Sequence, residues 1–115
     1  MRISLAEDGA PLSTQLQEQI RGLITTGQLA AGERLPSVRQ LASDLDIAPR
    51  TVAKAYAALQ GEGLLNARIG GGTRVAPNAS PTNQDVVEAA RHFTHVCKTN
   101  EVSREEAIRT LNALW

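Results

Sequence analysis

The stretch Leu35-Pro36-Ser37-Val38-Arg39-Gln40-Leu41-Ala42, continued by Asp46-Ile47-Ala48-Pro49-Arg50-Thr51-Val52, decides the fold. Ser37-Val38-Arg39-Gln40 has the form of a capping box, in which the Ser hydroxyl accepts from the N–H three residues on while the Gln side chain reaches back. A helix is therefore predicted to start at Ser37. Val38, Leu41, Ala42 and Leu45 line its inner face, and the pattern stops at Asp46-Ile47-Ala48 because a residue before proline avoids the helical region. Pro49 brings the φ of a first helical residue and needs no hydrogen-bond acceptor there. It opens a further helix whose inner face is Val52, Ala55, Tyr56 and Leu59, at offsets 0, 3, 4 and 7. Two short helices joined by so tight a turn form a helix-turn-helix.

Upstream, Leu12, Leu16, Ile20, Leu23 and Ile24 make one apolar stripe, with Pro11 suited to the first turn of that helix and Gly27 to its end. The residues from Leu29 to Pro36 are interrupted by Gly32 and read as a connecting turn. Downstream, Gly61 and Gly63 end the third helix, and Leu64–Arg68 and Thr73–Ala76 are predicted strands around the tip Ile69-Gly70-Gly71-Gly72. This hairpin is the wing of a winged helix-turn-helix. Pro77-Asn78-Ala79-Ser80-Pro81-Thr82-Asn83 has linker composition. Beyond it, Val86, Ala90, Phe93 and Cys97 form one helical stripe and Ala107, Ile108, Leu111 and Leu114 another, each led by a box, Thr82-x-x-Asp85 and Ser103-x-x-Glu106. The expected architecture is mostly α with a small β-hairpin: a winged helix-turn-helix over residues 1–76, a linker over 77–84 and a two-helix tail over 85–115.

Composition narrows the function classes. With 115 residues a multi-domain enzyme is excluded, and with 3% aromatics (Tyr56, Phe93 and Trp115) so is a stacking surface for single-stranded nucleic acid. Net charge is zero, yet residues 34–76 carry Arg34, Arg39, Arg50, Lys54, Arg68 and Arg74 against Asp44, Asp46 and Glu62, a local balance of +3. On the third helix the inner face directs Arg50, Thr51 and Lys54 outward near the N-terminus, the end that enters a major groove. There, free N–H groups favour phosphate and Arg is shaped for bidentate contact with guanine. A single Cys97, and no long apolar stretch at the N-terminus, suit a reducing cytoplasm and no membrane.

Four blocks carry a family resemblance: Gly27-x-Leu29-x-x-Gly32-x-Arg34-Leu35-Pro36-Ser37-x-Arg39-x-Leu41-Ala42; Arg50-Thr51-Val52-x-x-Ala55-Tyr56-x-x-Leu59; Gly61-x-Gly63-Leu64-Leu65; and Gly70-x-Gly72-Thr73-x-Val75. Residues 11–76 resemble the DNA-binding domain of the GntR family of bacterial transcription regulators. The resemblance implies a sequence-specific regulator on double-stranded DNA, with contacts from Arg34, Ser37, Arg39, Arg50, Thr51 and Gly70, to which the outward reading adds Lys54. The recognition helix would run from about Pro49 to Gln60, with the wing, 64–76, near the backbone or minor groove. One departure is Ala48, where similar proteins often carry an Asn or Ser cap. The short tail is similar to that of the YtrA subfamily, which implies a homodimer with the tail as its contact. The apolar stripes put Val86, Ala90, Phe93, Cys97, Ile108, Leu111 and Leu114 in that contact, and the expected regulator is a repressor on a palindromic operator.

Blander readings compete with other features. Glu88, His92 and His95 fall at offsets 0, 4 and 7, a spacing open to metal ligation, but no Cys or Asp completes the set and a polar face is favoured. Gly70-Gly71-Gly72 lacks the strand-to-helix context and the Lys of a phosphate loop. No nucleophile motif or paired carboxylate block argues for an enzyme. The residues point to no cofactor, metal or particular small-molecule effector. A winged helix used for protein contacts alone would expose apolar groups where Arg39, Arg50 and Thr51 stand.

Overall fold

The computed structural model describes residues 1–68, 71–79 and 83–115. Its elements are α1 (Leu12–Thr25), α2 (Val38–Leu45), α3 (Pro49–Gly61), β1 (Leu65–Arg68), β2 (Gly72–Val75), α4 (Gln84–Thr99) and α5 (Arg104–Leu114). They fall into two compact units, Met1–Pro81 and Thr82–Trp115.

In the first unit, α1 and α2 both pack on α3. Leu16, Ile20 and Ile24 of α1, Leu41 and Ala42 of α2, and Val52, Ala55, Tyr56 and Leu59 of α3 are buried, and Leu35, Leu65 and Val75 close the core from the wing side. Burial of each such Leu or Ile contributes about 1.5–3 kcal/mol, so an almost wholly aliphatic core suffices for a unit of this size. Pro11 is the N-cap of α1 rather than a residue of its first turn. After the helix, Gly27 at φ 78° turns the chain, and the Leu29 N–H donates to the Leu23 carbonyl at 2.9 Å, folding Leu29 into the core.

Ser37 caps α2 as predicted, its hydroxyl accepting from the Gln40 N–H at 3.1 Å. The reciprocal half of the box does not form. The Gln40 side chain donates to Asp44 Oδ1 at 2.8 Å instead, because i,i+4 neighbours on a helix face meet with less bending of the side chain. Asp46, at φ 54°, ends α2 in the left-handed conformation that a short polar side chain tolerates. Pro49 then opens α3.

The segment 32–35 is not merely the predicted connecting turn. Leu35 N–H donates to the Thr73 carbonyl at 2.8 Å, Val75 N–H to Glu33 at 2.8 Å, and Gly32 N–H to Val75 at 2.9 Å, with an isolated antiparallel bridge between Arg34 and Arg74. It therefore lines the free edge of the hairpin, whose register is Leu65↔Val75, Asn66↔Arg74, Ala67↔Thr73 and Arg68↔Gly72. On the surface, Arg21 of α1 pairs with Glu18 and with Glu62 at the end of α3, its Nη2 lying 2.5 Å from Glu62 Oε2. The hydrogen bond from Arg21 holds the Glu62 carboxyl below its ordinary range.

In the second unit, Ser103 caps α5 by accepting from the Glu106 N–H at 3.1 Å, as the motif predicts. The cap of α4 is Asn83, whose Oδ1 accepts from the Asp85 N–H at 2.8 Å; Thr82, which the motif predicts there, lies outside the described residues. Asparagine one residue closer to the helix reaches a first-turn amide directly. The α4 stripe also differs from expectation: Val87 and Cys97 are the buried residues, Phe93 is half-buried, and Val86 and Ala90 are exposed. The α5 side chains that line a cleft with Phe93 and Cys97 are Arg104 and Ala107. Ile108, Leu111 and Leu114 point elsewhere and stay 47%, 47% and 80% exposed.

Candidate nucleic-acid interface

The positions of the DNA-facing candidates follow from the inner faces of α2 and α3. With Val52, Ala55, Tyr56 and Leu59 wholly turned into the core, Arg50 and Lys54 are exposed along the first turns of α3 and Thr51 is half-buried beside them. Ala48 makes no side-chain capping bond, and the Thr51 N–H turns back to the Ala48 carbonyl at 3.0 Å, so no cap side chain covers the start of α3. That leaves a helix start open to an external anion. At the start of α2, Ser37 accepts from Gln40 and keeps its own hydroxyl proton available to donate, and Arg39 is exposed one turn into solvent.

Arg34 stands three residues before Ser37 in the chain, exposed, on the bridge to Arg74. Its guanidinium lies over Gly72, where an added Cβ would sit 3.0 Å from Nε, and Gly72 has φ 72°. Arg34 is thus fixed to the wing by backbone on one side and by a glycine platform on the other. Arg34, Arg39, Arg50 and Lys54 have no ion-pair partner among the described residues, in contrast with Arg21. Unpaired cations of this kind are ready to exchange condensed counterions for phosphates.

Tyr56 joins these parts. Its Oη donates to the Pro36 carbonyl at 2.7 Å, tying the middle of α3 to the turn that carries Arg34 and Ser37. Burial pushes its phenol up to about 12, so it remains a donor across the ordinary pH range. From the sequence Tyr56 was legible only as an inner-face residue, since a bond spanning twenty positions leaves no local pattern. Two wing cations also escaped motif reading. Arg68 and Arg74 are exposed and line one shallow cleft with Gly32 and Asn66, and Arg74 donates to the Gly32 carbonyl at 3.2 Å. Only the local charge balance hinted at them. Gly70, expected at the wing tip, lies outside the described residues.

The structure does not bring Glu88, His92 and His95 into a metal-holding group; no three His, Cys, Asp or Glu side chains are so arranged among the described residues. Glu88 instead accepts from Gln84. No helix among the described residues is long and apolar enough to cross a membrane.

Known proteins resemble the chain in sequence and in fold. Residues 12–75 match the model of "Bacterial regulatory proteins, gntR family". Over 103 residues the chain is 34% identical to the HTH-type transcriptional regulator Rv1152 of Mycobacterium tuberculosis, covering 90% of this chain and 84% of that protein. It is 39% identical over 72 residues to the HTH-type transcriptional repressor YtrA of Bacillus subtilis, a match that spans 63% of this chain and 55% of the relative's length. Among solved structures, YtrA from Sulfolobus acidocaldarius superposes with a TM-score of 0.57 at 29% identity, covering 99% of this chain and 95% of that one, both units included. The DNA-binding domain of AraR in complex with an operator superposes with a TM-score of 0.56 at 30% identity, over 66% of this chain and 92% of that one. A winged helix-turn-helix followed by a short helical tail, with these matches in sequence and in structure, makes the chain a YtrA-like member of the gntR family of bacterial regulatory proteins.

Proposed function

We propose that this DNA-binding transcription regulator is a cytoplasmic repressor, not an enzyme, that grips a palindromic operator as a homodimer. One observation carries the reading: α2 and α3 are each divided into a buried apolar face and an exposed face on which Arg39, Arg50 and Lys54 lack ion-pair partners among the described residues. Helix α3 enters the major groove. Arg50 reads a guanine edge, Thr51 and Lys54 flank it, and Arg34, Ser37 and Arg39 hold the phosphates that cross the start of α2. The wing lies against the backbone or minor groove, with Gly70 allowing close approach. The name of the Bacillus subtilis relative supports the repressive sense.

The tail supports the dimer. Val86 and Ala90 on α4 and Ile108, Leu111 and Leu114 on α5 are exposed apolar groups, and two short helices on their own cannot bury them. Half-buried Phe93 and buried Cys97, which line the cleft between α4 and the start of α5, complete the proposed contact. A two-fold pair buries the exposed groups and presents two matching recognition helices, and joining two weak modules raises affinity by roughly a hundredfold or more.

Footprinting on the DNA upstream of the protein's own gene tests the proposal. The expected result is protection of two symmetric half-sites about one helical turn apart, weakened in Arg50→Ala by about 1–3 kcal/mol per half-site with relaxed selection at one base pair. Unchanged affinity and selectivity in Arg50→Ala would remove this residue from base reading.

A further inference from the structure

The six residues ahead of Glu7 form no helix or strand, yet they are fixed in place by two glutamines of α1. The Gln19 side-chain amide accepts from the Ser4 N–H at 2.9 Å and donates to the Ser4 carbonyl at 2.5 Å. One turn earlier, Gln15 accepts from the Ala6 N–H at 2.8 Å and donates to the Ala6 carbonyl at 2.7 Å. Each amide thus satisfies both backbone groups of one residue, as a neighbouring strand would, and two amides at i,i+4 align the arm along α1. Ile3 and Leu5, alternating with the bonded residues, pack on the core. An arm held at these points meets its ordering cost in the free protein.

Residues 1 and 2 lie beside the candidate interface. Arg2 and Met1 line a cleft with Pro36, Leu41, Asp44 and Leu45, and Met1 lines a second with Arg34, Ser37 and Gln40. Arg2 is exposed and has neither a hydrogen bond nor an ion pair among the described residues. Asp44, the carboxylate lining the same cleft, is engaged by Gln40.

We propose that the arm is part of the DNA-binding surface, with Arg2 contacting a backbone phosphate next to those held at the start of α2. The inference rests on the DNA-binding reading above. A phosphate is the fitting partner because the arm flanks α2, while α3 occupies the groove, and a long cation without a partner reaches a charge more readily than a base edge. Gln15 and Gln19 are then positioning residues, aiming Arg2 through the backbone they hold.

The test measures affinity and its salt dependence for the full chain on a duplex recovered from random-sequence DNA by the wild-type protein. Loss of one phosphate contact lowers the slope of log affinity against log salt by about 0.9, so the advantage of wild type over Arg2→Ala shrinks by roughly three- to fourfold per contact between about 50 and 200 mM salt. Arg2→Lys keeps the slope, and Gln15→Leu/Gln19→Leu, with its helical circular dichroism intact, loses affinity as Arg2→Ala does and adds little to it. An Arg2→Ala protein with wild-type affinity and slope overturns the proposal, as does an equal loss in Arg109→Ala, a charge removed from the tail. Failure of the wild-type chain to recover any duplex overturns the DNA-binding reading itself, a result separate from an unaffected Arg2→Ala.

Discussion

Replacing Tyr56 by Phe removes one atom and tests how α3 is held to the turn carrying Arg34 and Ser37. The lost bond is the 2.7 Å donation from Oη to the Pro36 carbonyl. The ring stays in the core, so no cavity opens and the cost is that of a carbonyl left without its partner. Pro36 is only half-buried and water reaches part of that site, which puts the loss near 1 kcal/mol, at the low end of the range for an unpaired acceptor. For a unit of this size the thermal midpoint falls by about 4–8 °C per kcal/mol, and the urea midpoint by roughly 0.3–1 M. The pH dependence gives an independent signature. The phenol ionises near 10.0 when unfolded and near 12 when folded, so the unfolded chain holds fewer protons than the native one between those values. Wild-type stability is therefore intact below pH 10.0 and is lost as pH rises from there to about 12, while the Phe variant lacks this loss. Urea unfolding of both proteins from neutral pH upward measures it, with Tyr56 as the chain's one tyrosine providing an unambiguous tyrosinate absorbance. The expected difference between the two proteins shrinks above pH 10.0. A Phe variant as stable as wild type at neutral pH, or a difference that widens in alkali, would refute the argument.

Gly72→Val forces a β-branched residue to φ 72° and drives a Cβ to within 3.0 Å of the Arg34 guanidinium, so it is expected to destabilise the wing by more than about 1 kcal/mol and to weaken DNA binding together, as read by thermal melting and fluorescence anisotropy. A variant that melts like wild type would mean the wing relaxes freely around Gly72. Leu111→Asp puts a charge into the exposed apolar face of α5, and light scattering at micromolar concentration is expected to find a dimer for the wild type and a monomer for the variant. A variant that stays dimeric would move the interface off this face.

The helices of this protein were legible because their signals are local. Ser37 with the Gln40 amide, Pro49 at the start of α3, Gly27 after α1 and Ser103 before α5 act within one helical turn, and the inner faces of α1 and α3 repeat at helical spacing regardless of what they pack against. The outward placement of Arg50 and Lys54 followed from that periodicity alone. Where two local partners competed, the reading failed: Gln40 took Asp44 rather than its own cap, and Asn83 displaced the expected start of α4. The orientation of α4 was legible only in part, since Val86 and Val87 are adjacent and both apolar, and only tertiary packing decides which is covered.

What the sequence determined by itself, then, is the number of elements, their order and the faces that carry charge, because each rests on interactions between residues a few positions apart. Tertiary structure alone decided the rest. The pairing of residues 32–35 with β2, the seat of Arg34 over Gly72, the bond from Tyr56 to Pro36 and the docking of the arm on Gln15 and Gln19 all join backbone or side-chain groups distant in the chain. Such bonds depend on which surfaces the core has already brought together, and any Gln, Tyr or Gly elsewhere in the sequence offers the same donors, acceptors and space. Periodicity therefore says which way a side chain points, and only packing says what it meets.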